Sequence, residues 1–233
     1  MPTDTKNSRN LVLLEIILFF FAFYLPGFIW GNPHKDIQNF TTYVLQFESV
    51  AIPEILLMIY ILYIQQNGAS HLNLSLENFG ITRFKITDIP RSIIPTLGIF
   101  LLLFPLGLIL NEIAHSHEEI LTEGYRWKLE GPSQLILAFV FSITTGYREE
   151  LFFRSYLLTR FENIGVSFPI ATVSSTVLFA TGHLYEGYIG FTVALTIGFY
   201  LVYIFKKFHN LHINAITHGL YNFTILFLTI LIK

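Results

Sequence analysis

Apolar residues in this chain run together in long blocks, with no two-residue alternation that would suggest half-buried strands. Seven blocks are long enough to cross a bilayer as helices, which takes about 20 residues each. They cover residues 11–30, 43–64, 93–113, 134–162, 166–183, 188–205 and 211–232. The first carries Pro26 and Gly27 near its end. The second carries Glu48, Pro53 and Glu54, and the sixth is closed by Lys206 and Lys207. The pattern predicts an all-α polytopic membrane bundle of about seven transmembrane helices, within a range of six to eight. The longest polar connection, 65–91, is rich in Asn and Ser, and the connection 114–132 is acidic. The blocks together form one integral membrane domain.

Composition supports the same reading. Hydrophobic residues make up 53% of the 233 residues and charged residues 13%. A soluble domain carries about 25% charged residues, so lipid is the expected solvent. Twenty-four Phe and twelve Tyr suit lipid-facing surfaces and interfacial belts. The net charge of -2, with no basic run, gives no support for nucleic-acid binding. The absence of cysteine excludes disulfides, thiolate metal sites and a cysteine nucleophile. The polar start, with Lys6 and Arg9, leads into an apolar run longer than a signal h-region. No small-x-small cleavage site follows cleanly, so the run is expected to be a retained first helix. A cytoplasmic N-terminus places Lys6, Arg9, Arg83, Lys85, Arg91, Arg160, Lys206 and Lys207 on one side. The other side then receives Lys35, Arg126, Lys128 and Lys233. Eight against four favours that orientation, and a plasma-membrane location is expected.

Charges within spans are expensive and need a partner or a task. Glu15, Glu48 and Glu54 have bland explanations, such as snorkelling or lining a cavity. The stretch 147–154, Tyr-Arg-Glu-Glu-Leu-Phe-Phe-Arg, is harder to explain that way. Glu150 and Arg154 are four apart and share a helical face, where an ion pair cancels two charges. Glu149 points about 100° away and has no partner at that spacing. The bland reading is an interfacial collar of charge. His183 closes the fifth block, with Phe179 one turn earlier and able to pack under its imidazole. A histidine at a helix end is ordinarily interfacial or satisfied by hydrogen bonds. His218 and Asn222 are four apart on one face, for which the bland reading is a polar interhelical contact.

Depth links the three groups. A turn at 163–167 makes the fourth and fifth blocks an antiparallel hairpin. Glu150 and His183 then lie roughly 20 and 24 Å from that turn, at about 1.5 Å per residue. The turn at 207–210 is expected on the same membrane face. His218 and Asn222 lie roughly 12 and 18 Å beyond it. Given ordinary helix tilt, all four fall within one layer, and unrelated interfacial accidents would have no reason to do so.

Glu-Glu-x-x-x-Arg at 149–154, Phe-x-x-x-His at 179–183 and His-x-x-x-Asn at 218–222 resemble the three motifs of the CPBP intramembrane proteases. That group includes the type II CAAX prenyl endopeptidases and bacterial relatives, some linked to bacteriocin immunity. The resemblance covers residues 134–232, less than half of the chain, and implies a protease core at 133–233 preceded by N-terminal transmembrane helices and loops at 1–132. It implies an intramembrane endopeptidase with Glu149 as the catalytic glutamate and Glu150 with Arg154 as a supporting ion pair. His183 would help orient water, and His218 with Asn222 would stabilise the oxyanion. Substrates would be peptides or lipid-modified proteins, such as prenylated C-termini or other precursors, met within the membrane. The zincin pattern His-Glu-x-x-His is absent, yet Glu149, His183 and His218 are a zinc-competent set. The expectation is no cofactor, with zinc as the alternative. Rival readings are a non-proteolytic membrane scaffold or immunity protein, and a small transporter using the same groups as a relay. The lack of an internal repeat counts against the transporter.

Overall fold

The computed structural model describes residues 3–24, 39–66, 74–115, 129 and 131–231. Helices α1 (Thr3–Phe23), α2 (Phe40–Ile64) and α3 (Asp88–His115) come first. A continuous helical rod follows, composed of α4 (Leu135–Glu150), a π-helical segment (Leu151–Leu157) and α5 (Leu158–Asn163). Helices α6 (Phe168–Thr181), α7 (Gly187–Phe208) and α8 (Leu211–Leu231) complete the bundle. Among the described residues there is no strand. Pro26 and Gly27, and most of the acidic connection 114–132, lie outside the described residues.

Local chemistry sets the helix ends. Asn39 caps α2 by accepting from the Thr41 amide at 2.8 Å. Ser167 precedes α6, with Pro169 in the first turn, where its missing N–H costs nothing. Lys206 and Lys207 sit in the last turn of α7, where positive charge suits the helix dipole. His209, at φ 44°, then reverses the chain, and Asn210 accepts from the Ile213 amide at 3.1 Å to start α8.

Among the described residues, four helical stretches are long and apolar enough to cross a membrane: Phe40–Ile64, Asp88–Leu110, Leu184–Phe208 and Leu211–Leu231. The other blocks depart from that simple profile for visible reasons. Helix α1 carries Glu15, and the rod carries Glu150, Arg154 and Arg160 in the protein interior. Helix α6 is shorter than the sequence pattern predicts, with 14 residues. It stops at Gly182, which leaves His183 at the head of a 3₁₀ turn, Leu184–Glu186, instead of inside a span. The π segment is also new relative to the sequence. All seven of its residues are buried, as are Leu158, Thr159 and Arg160 beyond it. Arg160, counted above among the charges on the cytoplasmic side, is buried, pairs with Glu15 at 3.0 Å and contacts Gln65.

The bundle is drawn tight around α8, which packs along α4, α3 and α7. Ser92 and Thr96 of α3 donate to the carbonyls of Ile213 and Thr217 at 3.2 and 3.3 Å. Polar contacts of this kind hold helices together where lipid supplies no hydrophobic drive. Between α4 and α8 the backbones nearly touch. A Cβ placed on Gly146 would lie 2.4 Å from the Ala215 carbonyl oxygen and 2.9 Å from the Gly219 nitrogen. One on Gly219 would lie 2.9 Å from Ile143 Cα. Both obstacles are backbone and cannot rotate away. Gly146→Ala is therefore expected to separate the two helices and cost about 1–3 kcal/mol, read as a lowered unfolding temperature in detergent.

Candidate active site

The close crossing at Gly146 and Gly219 brings the end of α4 against the first half of α8. Glu150, the last residue of α4, is fully buried. Its Oε1 accepts from Arg154 Nη1 at 2.9 Å and faces His218 Nδ1 at 2.9 Å. Its Oε2 accepts from the Asn214 amide. Three donors thus converge on one carboxylate, the condition for holding a charge away from water. Because a carboxylate already paired with arginine accepts, His218 must donate through Nδ1. Its Nε2 is left facing the other side of the ring.

On that side stands Glu149. Its Oε2 lies 3.7 Å from His218 Nε2. The carboxylate is 18% exposed, yet Oε2 is shielded and has no hydrogen-bond donor among the described residues. Two adjacent glutamates therefore differ sharply. Glu150 is saturated and structural in its contacts, and Glu149 is aimed at an imidazole with nothing holding it.

Phe179 gathers the remaining pieces. Its ring lies 4.1 Å from the Arg154 guanidinium carbon, a cation–π contact. It also meets His183 edge-on at 5.2 Å and His218 at 5.9 Å between centroids. Behind Arg154, Gly198 of α7 offers its carbonyl at 3.4 Å, and a Cβ there would come within 3.2 Å of the guanidinium. His183 Nδ1 lies 3.4 Å from Glu186. Asn222 lies one turn beyond His218 and is half-buried, and its amide makes no hydrogen bond among the described residues. Among those residues, no group of three His, Asp or Glu side chains is placed to hold a metal ion.

Glu149, Glu150, Arg154 and His218 are thus brought into direct contact or near contact. His183 joins through Phe179, and Asn222 through its helix. Asn214 was not anticipated from the sequence, although it stands four residues before His218 and so shares its face. Glu54 and Tyr24 were not anticipated as neighbours of the site either.

Charged and imidazole groups buried between apolar helices, in a chain whose helices cross a membrane, define an integral membrane protein with an enzyme-like centre in its interior. The family model "Type II CAAX prenyl endopeptidase Rce1-like" matches residues 131–224. That stretch contains all three motifs and every group at the centre, and it is similar to that family of prenyl endopeptidases. No curated protein and no solved structure matches the chain.

Proposed function

We propose that this protein is a glutamate-type intramembrane endopeptidase that cleaves peptide bonds near lipid-modified, CAAX-type C-termini. The observation that carries the reading is the unbonded Glu149 carboxylate oxygen facing His218 Nε2 at 3.7 Å. A buried carboxylate left without donors is costly, and such a group is retained where it has work to do.

In this reading Glu149 takes a proton from a water molecule as the water oxygen attacks the scissile carbonyl carbon. His183 holds the same water. The carbonyl π electrons move to oxygen, and the oxyanion is met by the Asn222 amide and by His218. With Nδ1 committed to Glu150, His218 donates from Nε2 only when both ring nitrogens carry protons, and Glu150 and the oxyanion itself supply the compensating charge, because Glu149 is neutral once it holds the water proton. The C–N bond then breaks, and Glu149 returns its proton to the leaving amine. Glu150 is a positioning residue that fixes the ring of His218. The reaction is written without a metal, which the absence of a His-Glu-x-x-His pattern supports. Removing the Asn222 donor is expected to lower kcat by about 10²–10³. Asn222→Ala should leave the unfolding temperature unchanged, because the amide gives up no described bond.

A cytoplasmic N-terminus in a plasma membrane fits the position of the exposed basic residues. Arg83, Lys85, Lys206 and Lys207 share one end of the bundle, where His209 contacts the Glu77 carbonyl and Leu211 donates to Gly80. The test of function is cleavage of quenched peptides, prenylated and plain, by purified protein in detergent, with and without chelator. Cleavage of the prenylated peptide that survives chelation is the expected result. Loss on chelation with recovery on adding zinc would overturn the metal-free mechanism. No cleavage of any peptide would favour a scaffold.

A further inference from the structure

Outside the site, the rod is tied to both N-terminal helices at the residue next to Glu149. Arg148 pairs through Nε with Glu54 of α2. Its Nη2 donates to the Phe23 carbonyl, the last residue of α1, at 2.7 Å. The guanidinium carbon lies 5.0 Å from the Tyr24 ring and 5.8 Å from the Phe47 ring. In return, the Tyr24 hydroxyl donates to the main-chain carbonyl of Arg148 at 2.7 Å. Side chain and backbone of one residue are therefore gripped from separate directions.

Neutralising Arg148 in an apolar surrounding requires one carboxylate, which Glu54 supplies. It does not require the Tyr24 hydroxyl on the Arg148 carbonyl. That bond restrains the backbone itself, three residues before the rod changes from α to π geometry. Its effect falls on Glu149, which has no hydrogen bond through Oε2 and takes its direction from the helix that carries it. A carboxylate about 6 Å from the helix axis moves about 1 Å for a 10° rotation of the helix. A displacement of that size costs about 10²-fold in rate.

We propose that Arg148, held by Glu54 and Tyr24, is the positioning element for Glu149, so that helices outside the family-matched region set the angle of the general base. This rests on the reading of Glu149 as that base. A comparable network elsewhere provides the control. Glu15 of α1 accepts from Arg160 and Tyr156, joining α1 to the far end of the rod away from Glu149.

The experiment measures kcat, KM and unfolding temperature for the full-length protein in detergent with a quenched prenylated peptide. It compares Tyr24→Phe, Glu54→Gln, Glu15→Gln and Glu149→Gln. Tyr24→Phe removes one hydroxyl and keeps the ring, so it is the deciding variant if Glu54→Gln folds poorly. The expected result is a fall in kcat of roughly 10–100-fold for Tyr24→Phe and Glu54→Gln at unchanged KM. Glu15→Gln should instead lose thermal stability and keep its kcat per folded molecule. Wild-type kcat in Tyr24→Phe, beside an inactive Glu149→Gln, would overturn the positioning role alone. So would losses in kcat that follow unfolding temperature in all three outer variants. An active Glu149→Gln would overturn the underlying function, and the positioning role with it.

Discussion

Replacing Glu149 with Gln is expected to lower the rate of peptide cleavage by about 10²–10⁴, the usual contribution of a general base, while the protein folds as before. The two halves of this expectation come from the same geometry. Glutamine has the shape of the carboxylate but cannot take a proton from water. It also forfeits no structural bond, because Oε2 of Glu149 has no donor among the described residues. Removing a shielded, unbonded charge leaves stability level or slightly raised. Initial rates on a quenched prenylated peptide, normalised to folded protein, test the first half, and thermal unfolding in detergent tests the second. A variant that cleaves at the wild-type rate would remove Glu149 from the chemistry. One that loses its fold would show the residue to be structural.

Arg154 is expected to behave in the opposite way. Both it and Glu150 are fully buried, and their 2.9 Å contact is the ion pair around which the centre is built. Arg154→Met strands a buried carboxylate whose other described donors are His218 and the Asn214 amide. Breaking a buried pair from one side costs about 3–5 kcal/mol, so the variant should express poorly and unfold at a much lower temperature. Adding Glu150→Gln removes the stranded charge and should recover much of that loss, since a buried pair is replaceable as a unit. Cleavage should stay low in the double variant, because His218 has then lost the carboxylate that orients its ring. Recovery of activity together with stability would reduce Glu150 to a packing residue. An unfolding temperature in Arg154→Met equal to wild type would contradict the burial argument outright.

How much of this was readable in advance differs by element. The helices were readable because lipid demands long apolar runs. The Glu150–Arg154 contact was readable because four-residue spacing is a local geometric fact. Depth counting gathered Glu150, His183, His218 and Asn222 from three separate blocks. It overestimated the helix carrying His183, since apolar residues continue past the Gly182 end that backbone geometry imposes. The π segment left no mark in the hydrophobic pattern, because every one of its side chains is buried whatever its polarity. Glu15 and Glu54 looked like snorkelling carboxylates. Each in fact meets an arginine more than ninety positions away, and no local spacing carries that information. Asn214 was legible in principle, on the same stripe as His218 and Asn222.

Helix α6 spans about 21 Å at 1.5 Å per residue, against a hydrocarbon thickness of about 30 Å. Lipid beside it must thin or tilt to meet its ends. Beyond its C-terminal end, Tyr185 and Tyr188 are exposed, the residue type that settles at headgroup level. A headgroup region that follows this helix end dips toward His183. Under the proposed function, such a dip would give water a shorter path to the centre, and a substrate tethered by a lipid tail would keep that tail in the bilayer while its peptide bond descended only a short way.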